Sequence, residues 1–273
     1  MVITTKYKKE IKKFINTLER RKVMIPKVIH YCWFGGNELP NSAKKCIESW
    51  KKFFPDYEIK EWNEKNYDVR KNIYISQAYD AGKYAFVSDY ARFDILYYHG
   101  GIYFDTDVEV IKNFDDILNQ GAFMGCEIDG EMNSKFDKYV NPGLGIAAEA
   151  GLALYEEILD FYNKQRFLNQ DGSLNMETVV VKTTQILQKY GLKNGNEIQK
   201  IKDINIYPKE YFNPKDSSTG KIEITQNTHS IHWYSMTWLS KKQKLRKKIL
   251  DPFHRVFGAD CFRCLKKMLR LNE

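Results

Sequence analysis

Short β-rich segments alternate with longer helical segments through most of this 273-residue chain. The first β-rich segment, 25–34, is apolar and aromatic and ends at a glycine pair. A helical segment follows, with Asn41 or Ser42 as its candidate cap. Strands that alternate with helices favour a mostly parallel sheet with helices on both faces. The pattern therefore predicts an α/β fold with a single central sheet.

The same rules predict the remaining elements. A helical stretch at about 88–98 ends at Gly100 and Gly101, which are typical of a helix C-terminus. Other strands are expected at 57–62, 102–110, 122–127, 144–148, 204–207 and 222–232, and other helices at 152–163 and 176–190. No repeat or low-complexity linker divides these elements. We expect one domain at 25–240, between a basic helix at 1–24 and basic amphipathic helices at 241–273.

Two acidic residues interrupt the predicted strand at 102–110. Asp105 and Asp107 are two positions apart, so on an extended strand their side chains project from the same face. The carboxylates repel each other unless a cation or a shared proton compensates, and Mg²⁺ or Mn²⁺ is the natural partner. Removing one charge should then raise thermal stability in metal-free buffer. The alternative, a solvated strand end, needs no ligand.

The surroundings of this acidic pair favour the functional interpretation. A glycine turn and Tyr103 precede the pair directly. Upstream, Asp89 and Arg92 lie three positions apart and share one face of a predicted helix. The guanidinium offers a planar fork of donors to sugar or phosphate oxygens.

Three segments together resemble the signature blocks of glycosyltransferase family 32. They are 25–36 (IPKVIHYCWFGG), 85–92 (AFVSDYAR) and 100–107 (GGIYFDTD). The family includes capsular-polysaccharide sugar transferases and initiating mannosyltransferases, and is related to the glucosylating domains of large bacterial toxins. The resemblance covers about 25–240. It implies a GT-A fold, a nucleotide-sugar donor, a divalent metal and retention of anomeric configuration.

The resemblance also assigns residues to the donor. Trp33 matches the tryptophan that stacks on the base, although by itself it would be interpreted as a core residue. Asp89 and Arg92 match the pair that contacts the ribose and the donor sugar, and Tyr103 lines the same pocket. Tyr31 and Ser88 belong to the same blocks and are assigned to the donor site with them.

The acidic pair matches the family's metal motif. The resemblance assigns Asp105 and Asp107 to the cation and places Asp105 next to the donor as well. With Asp89 and Arg92 they form the predicted catalytic group.

Residues 227–238 (NTHSIHWYSMTW) resemble the family's closing His and Ser-Trp motif. His232 is the candidate third ligand of the metal or diphosphate, although a lone histidine is more often structural. Thr237 and Trp238 are expected to touch the diphosphate from a flexible loop. The sequence departs from the family here, because Thr237 stands where Ser is usual and Trp233 replaces a frequent second His.

The implied reaction is metal-dependent transfer of a hexose, with UDP-sugars favoured as donors. Negative charge develops on the departing diphosphate, and its stabilisation is expected to supply most of the rate gain. No acid in the sequence is assigned as a nucleophile. We therefore expect front-face attack, in which the leaving phosphate takes the proton of the acceptor hydroxyl. The acceptor is expected to be a glycan, lipid-linked as in capsular or cell-surface polysaccharide synthesis.

Two other interpretations stay open at this point. Residues 104–110 (FDTDVEV) also approximate the nucleophile strand of haloacid-dehalogenase-like phosphatases, although that strand usually opens the fold. The third possibility is a non-catalytic membrane-surface binding protein with a degenerate transferase domain.

The net charge of +8 is concentrated at the two ends of the chain. Residues 6–22 carry eight Lys/Arg against two Glu, and 241–270 carry eleven Lys/Arg against two Asp, so the body between them is mildly acidic. We therefore expect no nucleic-acid partner. The C-terminal helices suit an anionic membrane surface, or they pack on their own domain with a solvated basic side.

The expected location is the cytoplasm, with a peripheral position at the inner face of the cell membrane as its extension. No apolar run approaches the length of a membrane span, and the N-terminus lacks the apolar segment of a secretory signal. The five cysteines are an odd number scattered over a large chain, which favours reduced thiols.

Overall fold

The computed structural model describes residues 24–217 and 219–235. Apart from Met24, the predicted terminal helices at 1–24 and 241–273 lie outside these residues, as do Thr237 and Trp238. Among the residues described, no helix combines the length and the apolarity needed to cross a bilayer.

The described chain forms helices and strands in alternation. The helices are α1 (Asn41–Phe53), α2 (Ile73–Asp80), α3 (Tyr84–His99), α4 (Asp115–Leu118), α5 (Ala153–Asn163), α6 (Val179–Lys189) and α7 (Lys209–Phe212), with a 3-10 helix at Pro142–Leu144. The strands are β1 (Val28–Cys32), β2 (Glu58–Trp62), β3 (Gly101–Tyr103), β4 (Val108–Val110), β5 (Phe123–Ile128), β6 (Tyr139–Val140), β7 (Ile146–Ala148), β8 (Gln199–Ile201), β9 (Ile204–Tyr207) and β10 (Ser230–His232).

Most strands of the central sheet run in one direction. The order is β2-β1-β3-β7-β5-β9-β8, with β6 paired to β5. Strand β1 is parallel to β2 and β3, and β5 is parallel to β9, whereas β7 runs antiparallel between β3 and β5. The predicted α/β class with a mostly parallel sheet is confirmed. The sheet is mixed at β7 and at the short strands β6 and β8, and a second sheet is formed by β4 and β10.

Apolar side chains alternate between the two faces of the sheet, because successive residues of a strand point in opposite directions. Ile29 and Tyr31 of β1 join a core with Trp50 of α1, while Cys32 joins a core on the other face with residues of α3, α5 and α6. Trp50 is fully buried, and its Nε1 donates to the Val108 carbonyl at 2.8 Å, which ties α1 to β4. Helices therefore cover both faces, as predicted.

The strand predicted at 102–110 is wrong in one respect that concerns the site. The chain turns at Thr106, where the Val108 N–H donates to the Asp105 carbonyl at 3.0 Å, and β3 and β4 belong to different sheets. The acidic pair therefore lies in a turn between two sheets, and strand alternation does not explain why its side chains are close. The turn itself satisfies the Val108 N–H, which in a continuous strand would need an acceptor on a neighbouring strand.

Three other differences are local. The strand predicted at 222–232 is reduced to β10, since the preceding residues form turns and a single bridge between Lys215 and Ile222. Pro40 caps α1 without a side-chain bond, so Asn41 and Ser42 are not the cap. Helix α2 was not predicted because it is short, and its Asn72 cap accepts from the Tyr74 N–H at 2.6 Å.

Candidate metal and donor site

Pairing between β4 and β10 brings a histidine to the acidic pair. The two strands are antiparallel, and His232 at the end of β10 pairs with Val108, the residue that follows Asp107. One ligand atom from each of Asp105, Asp107 and His232 lies within 4.8 Å of the others. Residues more than a hundred positions apart thus form one cluster of potential metal ligands.

Asp107 is held in its charged form by specific donors. The Oδ1 atom of Asp107 lies 3.1 Å from His232 Nε2. The Oδ2 atom of Asp107 accepts from the Ser235 N–H at 2.7 Å and from the Ser235 hydroxyl at 2.9 Å. Burial alone would raise the pKa of Asp107, but His232 and Ser235 outweigh burial and hold it well below its usual range. The carboxylate therefore stays ionised, which a metal ligand requires.

His232 is buried and only partly satisfied. Burial lowers its pKa, but the carboxylates of Asp107 and Asp105 outweigh that effect and raise it. Its Nδ1 finds no hydrogen-bond partner among the described residues. A buried polar atom without a partner is uncommon, and two carboxylates with one imidazole are a donor set that suits Mn²⁺ and is compatible with Mg²⁺. The residues present therefore fit a divalent cation.

Asp105 connects this cluster to Arg92. Its Oδ1 accepts from the Tyr103 hydroxyl at 3.1 Å and lies 3.3 Å from Arg92 Nη2. Burial raises the pKa of Asp105 against the attraction of Arg92, and the charge of Asp107 raises it further. A bound cation would remove this mutual repulsion.

Gly143 lies directly against Asp105. The Asp105 N–H donates to the Gly143 carbonyl at 3.3 Å. A Cβ atom at Gly143 would stand 2.1 Å from Asp105 Oδ2, so any side chain there would displace the carboxylate. The glycine is needed at this position because of the close approach rather than for its backbone freedom.

Arg92 is the buried centre of the neighbouring charge group. Its Nη2 donates to Asp89 Oδ1 at 2.8 Å, its Nε donates to the Ser88 carbonyl at 3.1 Å, and its guanidinium lies 5.0 Å from the centre of the Tyr103 ring. Its Nη1 has no partner within the described chain. A buried guanidinium nitrogen that is still free to donate can bind an oxygen of a ligand.

Asp89 is ionisable near neutral pH. Burial raises its pKa to about 6, although Arg92 opposes the shift. Asp89 lies one helical turn before Arg92 on α3, so the two side chains share one helix face, as predicted.

The side chains of three predicted donor residues form their hydrogen bonds outside this group. The Tyr31 hydroxyl donates to Glu61 at 2.7 Å, and the Ser88 hydroxyl donates to the Tyr84 carbonyl at 3.2 Å within α3. Half-buried Trp33 donates from Nε1 to the Asn37 carbonyl at 2.6 Å. Their donor roles stay predictions, as do those of Thr237 and Trp238 outside the described residues.

Sequence reasoning missed four residues that contact the acidic pair or are linked to it through hydrogen bonds. They are Glu127, Asn141, Gly143 and Ser235. None stands at a regular spacing from the acidic pair along the sequence, because the folding of the chain alone brings these residues together. The Asn141-Pro-Gly143 turn was the one visible signal, since an asparagine side chain often binds the backbone two residues later.

This fold and acidic site belong to an enzyme that transfers sugars. Residues 40–124 match the sequence model of the family described as "Glycosyltransferase sugar-binding region containing DXD motif". This match and the relatives below support a glycosyltransferase of the family 32 type, as the sequence predicted. The phosphatase alternative is set aside, since the acidic pair follows the third strand rather than the first.

Proteins of two organisms illustrate the similarity. An uncharacterised glycosyltransferase of Acanthamoeba polyphaga mimivirus is 28% identical over 197 residues, which are 70% of this chain and 74% of that protein. Inositol phosphoceramide mannosyltransferase 3 of Schizosaccharomyces pombe is 34% identical over 111 residues, which are 37% of this chain and 29% of that protein. The match thus spans less than a third of the yeast protein.

Solved structures show low similarity. The PaToxG glycosyltransferase is 20% identical, with a TM-score of 0.44 over 67% of this chain and 77% of that chain. A glycosyltransferase involved in glycosylation of the major capsid of PBCV-1 is 9% identical, with a TM-score of 0.42 over 77% of this chain and 95% of that chain.

Proposed function

We propose that this enzyme transfers a hexose from a nucleotide-diphosphate sugar with the help of a divalent cation. Asp105, Asp107 and His232 would hold the cation, and the convergence of their ligand atoms within 4.8 Å is the observation that carries the proposal. When bound, the cation supplies positive charge to the diphosphate. Arg92 lies next to this cluster, and its Nη1, which has no partner among the described residues, is suited to a sugar hydroxyl or phosphate oxygen.

The residues of the chain prepare the site for loss of the diphosphate. Arg92 adds a fixed positive charge, and its bonds to Asp89 and Asp105 hold it in place before the donor arrives. A charge that needs no reorganisation during the reaction stabilises the transition state most. Thr237 and Trp238 would complete the contacts to the leaving group. We propose retention by front-face attack.

The donor and acceptor are proposed from the resemblance and from a named relative. UDP-sugars are our first candidates, and the similarity to a protein named as a mannosyltransferase adds mannose donors. For the acceptor we propose a lipid-linked glycan of capsular or cell-surface polysaccharide synthesis. The whole protein would lie peripherally at the inner face of the membrane, with the catalytic domain at 25–240 between its basic ends.

Slow hydrolysis of nucleotide sugars tests the proposal without knowledge of the acceptor. The purified protein is incubated with UDP- and GDP-sugars in Mn²⁺, in Mg²⁺ and in EDTA, and the released nucleotide is measured. We expect hydrolysis of one nucleotide class that EDTA abolishes and added Mn²⁺ restores. Equal hydrolysis in EDTA would contradict the metal role, and release of phosphate from phosphate esters alone would contradict the transferase.

Trp33→Ala tests the base-stacking role. The change should weaken binding of the free nucleotide and of all its sugars by about fivefold, because stacking contributes about 1 kcal/mol and does not sense the sugar. Calorimetric titration with the nucleotide alone provides the measurement. Unchanged affinity in a folded variant would make Trp33 a packing residue against the core that contains Trp50.

Vesicle binding tests the peripheral position. The full chain should sediment with vesicles that contain anionic lipid but not with neutral ones, and about 0.5 M salt should release it, since the screening length falls below about 5 Å. A chain that ends at Ser240 should stay in solution while it still hydrolyses the donor. Equal binding to both vesicles, or to neither, would contradict the membrane role and leave the transferase untouched.

A further inference from the structure

Glu127 is an acidic residue on the same edge of the sheet as the metal ligands. Strands β1, β3, β5 and β9 run in one direction, so their carboxyl ends share one edge, where ligands of α/β proteins usually bind. Asp105 follows the end of β3, and Glu127 is the penultimate residue of β5. The side chain is half-buried at this edge.

A short chain of hydrogen bonds connects Glu127 to the acidic pair. Asn141 Nδ2 donates to Glu127 Oε2 at 2.9 Å, and Asn141 Oδ1 accepts from the Gly143 N–H at 2.8 Å. The Gly143 carbonyl in turn accepts from the Asp105 N–H. One amide thus fixes the position of Glu127 relative to Asp105.

Glu127 is also connected to the segment that contains His232. Its charge is among those that raise the pKa of His232 and of Tyr234. The Tyr234 hydroxyl donates to Asn213, whose Nδ2 donates to the Glu127 carbonyl at 3.2 Å. Hydrogen bonds therefore connect Glu127 both to Asn141 at the start of the 3-10 helix and, through Asn213, to the segment that follows His232.

Glu127 differs from the other carboxylates of the site in having no cationic partner. Asp89 and Asp105 pair with Arg92, and Asp107 pairs with His232. Among the described residues no lysine, arginine or histidine forms an ion pair with Glu127, and its Oε1 accepts no hydrogen bond. With Oε2 held by Asn141, Oε1 is the oxygen of Glu127 that remains available to accept a hydrogen bond from a ligand.

We propose that Glu127 is the general base of the reaction, the group that binds the acceptor hydroxyl. The proposal rests on the proposed function. The acceptor oxygen forms the new bond to the sugar C1 while the bond from C1 to the diphosphate oxygen breaks and leaves its electron pair on that oxygen. Oε1 takes the hydroxyl proton in place of the leaving phosphate and later releases it to water. The products are the glycoside, the nucleoside diphosphate and one proton.

Glu127→Gln tests the assignment with water as the acceptor. The substitution keeps the shape and a partner for Asn141 but removes the basic oxygen. We expect the rate of donor hydrolysis to fall by about 10²-fold, the usual contribution of a general base, with the Kd of the nucleotide sugar within threefold of wild type. Glu58→Gln, at the exposed start of β2, is the matched control and should retain full activity.

Azide separates a base from a nucleophile, because the azide anion needs no deprotonation. In 1 M azide the Glu127→Gln variant should form glycosyl azide at least as fast as wild type, since a negative charge near the attacking anion has been removed. The glycosyl azide should have the same anomeric configuration as the donor sugar, as read by proton NMR.

Several outcomes would overturn the proposal. Hydrolysis within threefold of wild type would show that Glu127 is not needed, and an equal loss of donor affinity would make it a donor-binding residue. Glycosyl azide of the opposite configuration would make it a nucleophile. If Gln prevents folding, Glu127→Asp keeps the charge, and it should retain intermediate activity that azide does not raise. A wild-type protein without donor hydrolysis would contradict the proposed function itself.

Discussion

Asp107→Asn is expected to lower metal-dependent donor hydrolysis by about 10³-fold and to remove measurable Mn²⁺ binding. The amide keeps the shape but offers one weak neutral oxygen where the carboxylate offered a charged one. His232 would then retain only one acidic neighbour, Asp105, in the cluster. Activity of at least a tenth of wild type in the variant would contradict the metal assignment.

Stability should change in the direction opposite to the one expected from the sequence. Repulsion between the two aspartates predicted a gain when one charge is removed. His232 and Ser235, however, stabilise the Asp107 charge by more than burial disfavours it. The variant should lose about 1–3 kcal/mol of unfolding free energy at neutral pH in metal-free buffer, the usual value of hydrogen bonds to a charged group. Because the pKa of Asp107 is lowered in the folded state, this contribution exists above the unfolded pKa near 4 and disappears as the pH falls.

A matched control separates the loss of a metal ligand from the loss of an Asp–His contact. Asp116 on α4 lies 2.9 Å from His229 Nε2, which is a contact of the same kind away from the ligand cluster. Asp116→Asn should lower stability to a comparable or smaller extent and leave Mn²⁺ binding and hydrolysis unchanged. Equal loss of activity in both variants would show that stability alone explains the Asp107 effect.

The class of fold was predictable because it depends on local patterns. Apolar runs such as 122–127 and 204–207 became β5 and β9 almost as expected, and the helix at 152–163 became α5. Hydrophobic period and glycine stops are properties of neighbouring residues. The antiparallel insertion of β7 was not predictable, since a three-residue strand carries no signal about which neighbours it will pair with.

The candidate site was predictable only where it is contiguous in sequence. Asp89 with Arg92, and Asp105 with Asp107, were visible because helix and turn geometry act over a few residues. The contact between Arg92 and Asp105 depends on how α3 packs behind β3, and Glu127 reaches the site through Asn141. Such long-range contacts are set by sheet order, which spacing along the chain does not encode.

Asp89→Asn is expected to have opposite effects on activity and on stability. Transfer should fall by about 10²-fold, because Arg92 loses the charged partner that orients it and the donor loses an acceptor for its hydroxyls. The loss should appear in the rate of donor hydrolysis at saturating Mn²⁺. Mn²⁺ affinity should change little, since Asp89 is not a member of the ligand cluster.

The free energy of unfolding should rise by up to about 3 kcal/mol at pH 7.5 in metal-free buffer, because one pKa unit corresponds to about 1.36 kcal/mol. Burial raises the pKa of Asp89 to about 6, roughly two units above the value of about 4 expected for the unfolded chain. Between these values the folded state binds a proton that the unfolded state has lost, so the stability of the wild type falls as the pH rises from about 4 to about 6. Asparagine resembles the neutral form and does not titrate. Urea unfolding should therefore give equal free energies of unfolding for both proteins below about pH 4. The two values should separate between about pH 4 and about pH 6, and above about pH 6 the variant should be more stable by a constant amount. A variant less stable than wild type at pH 7.5 would mean that the attraction of Arg92 exceeds the cost of burying the Asp89 charge.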